Sequence, residues 1–235
     1  MKIALIGYGK MGKLLEIKAK ERNHAISKIL KNENWISEDL MDSDMAIDFS
    51  SPDSAVDNIH KAFKANIPIV VGTTGWNKDF DKVKNWCNEY NGAILPSSNF
   101  SLGVNIFFEI NKQLSTIMNQ QNSYSVKISE THHTEKVDSP SGTAITTAEI
   151  ILDQMDHYSN WASNTSNYGN KLPIIAKRQE GVAGTHEVIY ESNIDELSIC
   201  HRAKNREGFA IGAIIAAEFL YNKKGLFSMK DVIKF

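Results

Sequence analysis

The first stretch of the chain restricts its fold more than any other. Lys2-Ile-Ala-Leu-Ile6 is a short, mostly apolar run suited to a buried parallel strand. It meets Gly7-Tyr-Gly9-Lys-Met-Gly12 at once, and residues 13–21 follow with helical character. Strand, spaced glycines and helix together form the turn that takes the pyrophosphate of a dinucleotide. Gly7 permits the tight turn, Gly9 lets backbone approach the phosphates, and Gly12 lets the helix pack closely on the strand. Tyr8, Lys10 and Met11 complete the loop and join the glycines as candidate cofactor contacts. A glycine triplet alone is common. Its place between a strand and a helix indicates a Rossmann-type, doubly wound parallel sheet.

The second strand spans 24–30, and a carboxylate at its end ordinarily holds the adenosine ribose 2′-OH. Lys31 and Asn32 stand there instead. A lysine pairs with a 2′-phosphate that a carboxylate would repel, so the reading leans to NADPH and leaves NADH open. The alternative is a solvated loop lysine. Strands at 45–50, 67–71 and 92–96 continue the sheet, alternating with helices at 55–65 and 77–90. Ligands of such sheets lie outside the carboxyl ends of the strands. That rule nominates Ser50, Gly72, Thr73, Thr74, Ser97, Asn99 and Phe100. Gly72 and Thr73 are the candidates for backbone contact with the nicotinamide half, against an ordinary Gly-Thr-Thr-Gly turn. Asn99 and Phe100 either close over the cofactor or cap the next helix.

The helix-like segment 104–118 marks the passage to a second domain. After an alternating strand at 123–129 comes Glu130-Thr-His-His-Thr-Glu-Lys-Val-Asp-Ser-Pro-Ser-Gly-Thr-Ala144, with two histidines, a lysine and a Ser-Gly-Thr turn. Singly these residues are more often structural, a serine capping a helix or a lysine in solvent. Gathered at this density they point to an active site. Ser141, Gly142 and Thr143 open a helix over 144–152, where free N–H groups favour a carboxylate or phosphate. Residues 159–170 are polar and turn-rich, which suggests a flexible loop. Strands at 174–179, 184–192 and 196–203 make an antiparallel or mixed sheet in an α+β domain, and self-association would cover its open face. A helix over 205–220 returns to the first domain. Arg206 before it either reaches an anionic substrate or is solvated. The expected division is 1–103 with 206–235 for the dinucleotide and 104–205 for substrate and oligomerisation.

A length of 235 residues allows a substantial core. A formal charge of -2, with no basic block carrying aromatics, argues against nucleic acid and anionic membranes. No apolar run nears membrane-spanning length, and Cys87 and Cys200 lack metal-ligand spacing, so a cytoplasmic protein is expected. No metal is expected either, since the adjacent His132 and His133 point to opposite sides of a strand.

These motifs together resemble the dihydrodipicolinate reductase family over nearly the whole chain. The glycine turn at 7–12, Gly72-Thr-Thr-Gly75 and Asn99-Phe-Ser-Leu-Gly-Val-Asn105 take part, and the 130–144 segment looks like the family signature. The resemblance implies an NAD(P)H-dependent oxidoreductase of diaminopimelate and lysine biosynthesis. Such an enzyme passes a hydride to the cyclic compound derived from 4-hydroxy-tetrahydrodipicolinate, giving tetrahydrodipicolinate after loss of water. It further implies that Ser141, Gly142 and Thr143 hold one carboxylate of this dicarboxylate substrate, with His133 and Lys136 neutralising charge. By the same resemblance His132 is the proton donor, Lys136 assists it, and the protein is a homotetramer. Which of His132 and Lys136 delivers the proton stays open. Lys31 departs from the acidic residue expected there. A related amino-acid dehydrogenase, or a dinucleotide-binding sensor without turnover, would share the first glycine turn but need no His-His-x-x-Lys segment.

Overall fold

The buried runs at the start of the chain become the centre of a parallel sheet, since strands buried on both faces satisfy their backbone groups only by pairing with one another. The computed structural model describes residues 1–165 and 168–234. The chain divides into two compact units, Met1–Leu102 with Glu207–Phe235, and Gly103–Arg206.

In the first unit, β1 (Lys2–Ile6), β2 (Ala25–Leu30), β3 (Met45–Asp48), β4 (Ile69–Val71), β5 (Ala93–Pro96) and β11 (Gly225–Leu226) form one six-stranded sheet. Its order is β11-β5-β4-β3-β1-β2, and every pair is parallel. One face is covered by α1 (Lys10–Glu21), α6 (Glu207–Leu220) and α7 (Met229–Ile233) around Ile3, Leu5, Ile47 and Ile214. The other face carries α2 (Pro52–Lys64) and α3 (Phe80–Glu89) around Ile59, Phe63, Ile69 and Val83. Helices on both faces of a parallel sheet make it doubly wound. The helix expected over 205–220 packs in this unit as α6. It fits because Gly212 has no side chain: a Cβ there would lie 1.7 Å from the Phe100 carbonyl oxygen.

The second unit holds α4 (Leu102–Met118), which begins one residue before the boundary, β6 (Ser125–His132), α5 (Gly142–Leu152), β7 (Asn160–Ser163), β8 (Lys171–Arg178), β9 (Gly184–Glu191) and β10 (Glu196–Ala203). Its five strands run β10-β9-β6-β8-β7, with β9 antiparallel to both its neighbours and β6, β8 and β7 parallel. The sheet is therefore mixed. Alternate residues Val126, Ile128, Leu172, Ile174, Val188 and Tyr190 pack against Phe107, Ala148 and Ile151 of the helices.

Several boundaries differ from those read in the sequence. α1 starts at Lys10 because the glycine loop leads straight into helix, and β6 runs on through Glu130 to His132. The expected flexible loop at 159–170 contains β7, a short strand at the sheet edge whose polar residues suit a one-sided position. Ser166 and Asn167 of that loop lie outside the described residues. The short β11 and α7 carry no periodicity of their own; β11 is held by main-chain bonds from Gly225 and Phe227 to Gly92 and Ile94.

Candidate active site

In the first unit the glycine loop opens onto a cavity of about 610 Å³ lined by Gly7, Tyr8, Gly9, Lys31, Ser50 and their neighbours. Gly7 has φ +84°, and a Cβ there would lie 2.3 Å from the Phe49 carbonyl oxygen. Gly12 is required by packing, since its Cβ would lie 2.3 Å from the Gly7 carbonyl. A Cβ on Gly9 would meet nothing within 4 Å, so backbone is open to a ligand on that side. Gly9 caps α1 without a side-chain bond, and the first turn carries no acidic residue, as an anion site at a helix start requires. Lys10 is exposed on that turn, while Met11 is turned into the core. Lys31 lies on the cavity rim, its Nζ 5.2 Å from the centre of the Tyr8 ring. The Tyr8 hydroxyl donates to Glu16, whose other oxygen pairs with Lys20 at 2.6 Å.

A buried carboxylate, missed in the sequence, organises the far wall. Asp48 ends β3 fully buried and accepts from the Thr73 hydroxyl and the Ser50 N–H at 2.8 Å, and from the Asn58 amide at 3.0 Å. Trp35 closes the network by donating to Asn58 at 3.2 Å. Burial raises the Asp48 pKa above the usual carboxylate range, and these hydrogen bonds pull the other way. The Thr73 hydroxyl is thereby spent on structure, and its carbonyl accepts from the Trp76 indole at 2.8 Å. The Gly72 N–H donates to the Asp48 carbonyl at 2.8 Å, and a Cβ on Gly72 would strike the Phe49 ring. Thr74 is exposed beside them. Phe100, expected to close over the cofactor or cap a helix, is a core side chain 2% exposed against Phe49. Ser97 and Asn99 bond to each other, and the Asn99 side chain accepts from the Ser101 N–H at 2.9 Å just before α4.

In the second unit the end of β6 and the start of α5 meet. Ser141 is the N-cap of α5, its hydroxyl accepting from the Ala144 N–H at 3.2 Å. Gly142 and Thr143 form the first turn, and a Cβ on Gly142 would meet nothing within 4 Å. His132, 7% exposed, is the last residue of β6, and the half-buried His133 follows. Lys136, expected beside His132, directs its ammonium to Asp138 at 2.7 Å. Arg178 was not foreseen. Its guanidinium bonds the Asp138 carbonyl at 2.7 Å and stands 3.7 Å from Glu130, so it holds the 133–138 loop against the sheet. His186 was also missed; its Nε2 lies 3.1 Å from the Ser141 hydroxyl. Arg206 is exposed at the end of this unit and takes part in none of the described side-chain bonds.

Glu130 is completely buried and lies 3.4 Å from His132 and 3.6 Å from His186. The three donor atoms lie within 4.8 Å of one another, but the Arg178 guanidinium beside the carboxylate opposes a further cation, and no ion is assigned there. Burial alone would raise the Glu130 pKa; contacts from His186 and Ser141, with the charge of His132, hold it down at about 2. For His132 burial is the largest cause, with His186 adding to it, and together they lower the imidazole to about 4 although Glu130 opposes them.

Both values lie below those of free side chains, so the unfolded chain takes up these protons more readily. Stability present at neutral pH is then lost as the pH falls, first through the His132 range and then from about 4.5 toward 2 for Glu130. Going from about pH 7 to pH 4 is expected to cost on the order of 2–3 kcal/mol from His132 alone. Urea midpoints for the wild type and His132→Gln test this. The difference between them should shrink in acid, and a constant difference would refute it.

Two family models cover the chain. Residues 1–100 match the N-terminal part of dihydrodipicolinate reductase and residues 103–233 match its C-terminal part. The chain belongs to the dihydrodipicolinate reductase family. A 4-hydroxy-tetrahydrodipicolinate reductase of Christiangramia forsetii is 49% identical over 99% of this chain and 98% of its own. The reductase of Bdellovibrio bacteriovorus is 37% identical over 99% of this chain and 96% of its own. A dipicolinate-bound dihydrodipicolinate reductase from Paenisporosarcina sp. TG-14 has the same fold, with a TM-score of 0.82 at 19% identity over 99% of both chains. Members of the dihydrodipicolinate reductase family use a nicotinamide cofactor, and the anion-ready helix start with the open Gly9 backbone fits one. Among the described residues no helix is long and apolar enough to cross a membrane.

Proposed function

We propose that this chain reduces 4-hydroxy-tetrahydrodipicolinate to tetrahydrodipicolinate in diaminopimelate and lysine biosynthesis, consuming NAD(P)H and one proton and releasing water. The observation that carries it is the full-length match at 49% identity to a reductase of that name, with the histidine segment placed at the N-terminus of α5. The nicotinamide, when bound, supplies the hydride. The backbone of the 7–12 loop and the start of α1 would hold the pyrophosphate. Ser50, Gly72 to Thr74, Ser97, Asn99 and the Phe100 backbone would border the rest of the cofactor. Ser141, Gly142 and Thr143 would receive one substrate carboxylate at the start of α5, with His133, Lys136 and Arg206 as further cationic partners. Lys136 would have to leave Asp138 to act there. His132 would give the proton. We also propose a cytoplasmic homotetramer joined through the sheet face of the second unit opposite its helices.

The direct test couples the protein to the preceding synthase, fed pyruvate and aspartate semialdehyde, and follows loss of reduced-nicotinamide absorbance. Turnover is expected; binding of cofactor without turnover would move a sensor role to the front. For cofactor choice, Lys31 on the rim of the first cavity supports NADPH. Lys31→Glu is expected to raise KM for NADPH relative to NADH by at least about tenfold, since a charge-assisted bond is worth roughly 1.5–3 kcal/mol. An unchanged ratio of the two KM values would make Lys31 an ordinary loop residue.

A further inference from the structure

The proposed reaction gives Glu130 no part, yet four groups from separate elements converge on its carboxylate. The register of the second sheet is what gathers them. Glu130 on β6 is the cross-strand neighbour of His186 on β9, and His132 lies two residues further along the same buried face. The Ser141 N–H at the cap of α5 donates to Oε1 at 3.0 Å, and Arg178 at the end of β8 stands 3.7 Å from the same oxygen. Oε2 faces His132 Nδ1 at 3.4 Å and His186 Nε2 at 3.6 Å. Oε2 and Nδ1 have no closer hydrogen-bond partner. A buried carboxylate and a buried imidazole nitrogen left facing each other are each costly alone, and each is the other's natural partner. On the other side of the ring, Nε2 lies against Gly184, where a Cβ would come within 3.2 Å of it.

We infer that Glu130 is a positioning residue for the reduction proposed above: it keeps a proton on Nδ1 of His132 and stabilises the imidazolium whose Nε2–H is given to the substrate. The inference rests on that reading of the reaction. In the step, the Nε2–H bond breaks and its proton passes to the substrate. His132 is left neutral with Nδ1–H facing Glu130, the carboxylate stays ionised throughout, and the one proton consumed per turnover is taken up from solvent at Nε2. The charges that face His132 divide by sign. Glu130 favours the imidazolium, whereas His186, Lys136 and Arg178 oppose it. His186 and the Ser141 N–H hold the carboxylate in place.

The test is the kcat and pH profile of Glu130→Gln and Glu130→Asp with substrate made by the synthase, together with two-bond 1H–15N NMR of His132 in the wild type. Glu130→Gln should lower kcat by about 10- to 100-fold, part of what a general acid contributes, with KM within about threefold. Its basic limb should move to lower pH by about one unit or more, because the imidazolium has lost its anion. Glu130→Asp, which keeps the charge, should leave that limb in place. The wild-type spectrum should show the neutral ring protonated on Nδ1. Equal losses in Gln and Asp with an unmoved limb would reduce Glu130 to a structural residue, as would wild-type behaviour of Glu130→Gln. An Nε2–H tautomer in the wild type would overturn the inference even if neither variant folds. Wild-type protein that does not turn over at all would sink the reductase reading alone, and the NMR measurement would still decide the tautomer.

Discussion

Replacing His132 by glutamine is expected to lower kcat by about 10²- to 10⁴-fold, the usual worth of a positioned general acid. Glutamine fills a similar space and keeps a polar group opposite Glu130, but its amide has no proton of useful acidity. The ring sits where such a donor must be: 7% exposed, at the end of a strand, beside the cap of α5. Its low pKa, set by burial and by His186, means that the free protein holds it neutral near pH 7. Arrival of a dianionic substrate would raise that pKa, because opposite charge stabilises the imidazolium. Proton supply is thus tied to occupancy of the site, and in the free enzyme the imidazole itself carries no charge. The cofactor should bind the variant as it binds the wild type, since the glycine loop belongs to the other unit. Stopped-flow measurement of a single turnover, with cofactor binding followed by fluorescence, separates the two effects. If His132→Gln keeps more than about one tenth of the wild-type kcat, the proton comes from elsewhere, and Lys136 becomes the candidate.

The parts of this arrangement legible in the sequence are those whose cause is local. Gly7, Gly9 and Gly12 declare themselves because turn, phosphate approach and close packing each act within a few residues. Ser141 at a helix start is legible for the same reason: Pro140 and Gly142 frame the cap. Glu130, Arg178 and His186 are not, because strand register alone joins β6 to β8 and β9. His186 left a trace. It occupies one of the alternate positions Gly184, His186, Val188 and Tyr190, all buried, and a polar residue in such a series calls for a partner. Glu130 left the same trace after Val126 and Ile128. Lys136 illustrates the converse. Its place in the motif suggested a partner across the site, but Asp138, two residues on, takes the ammonium. β7 was hidden because an edge strand needs no apolar alternation.

Asp48→Ala is expected to destabilise the first unit by about 2–4 kcal/mol and to weaken cofactor binding with it, because it removes the buried acceptor that three donors share. The Thr73 hydroxyl, the Ser50 N–H and the Asn58 amide all end on this carboxylate, which is itself completely inaccessible. A stranded donor costs roughly 1–3 kcal/mol; here the Thr73 hydroxyl loses its acceptor, whereas the Ser50 N–H keeps the Thr73 oxygen at 2.8 Å and the Asn58 amide keeps the Ser50 hydroxyl at 3.0 Å. Asp48→Asn distinguishes the hydrogen bonds from the charge. Its one acceptor can keep Ser50 and Thr73, but its new N–H₂ then faces the Asn58 amide. Asn58 cannot turn over to receive it, because its oxygen already accepts from Trp35. One mismatch should therefore remain, about 1–2 kcal/mol, lessened by removal of a buried charge. That ordering, Ala worse than Asn, follows from geometry. If burial of the charge dominated, Asn would equal or exceed the wild type, as the raised pKa of Asp48 would then suggest. Thermal unfolding decides between them, with about 2–4 °C expected per kcal/mol for a chain of this size. Titration with NADPH should show the same order, because Ser50 and Thr73 lie at the strand ends where the cofactor is proposed to bind. A wild-type midpoint in Asp48→Ala would mean that the network merely occupies space; a full loss of stability with unchanged NADPH affinity would separate the wall from the site.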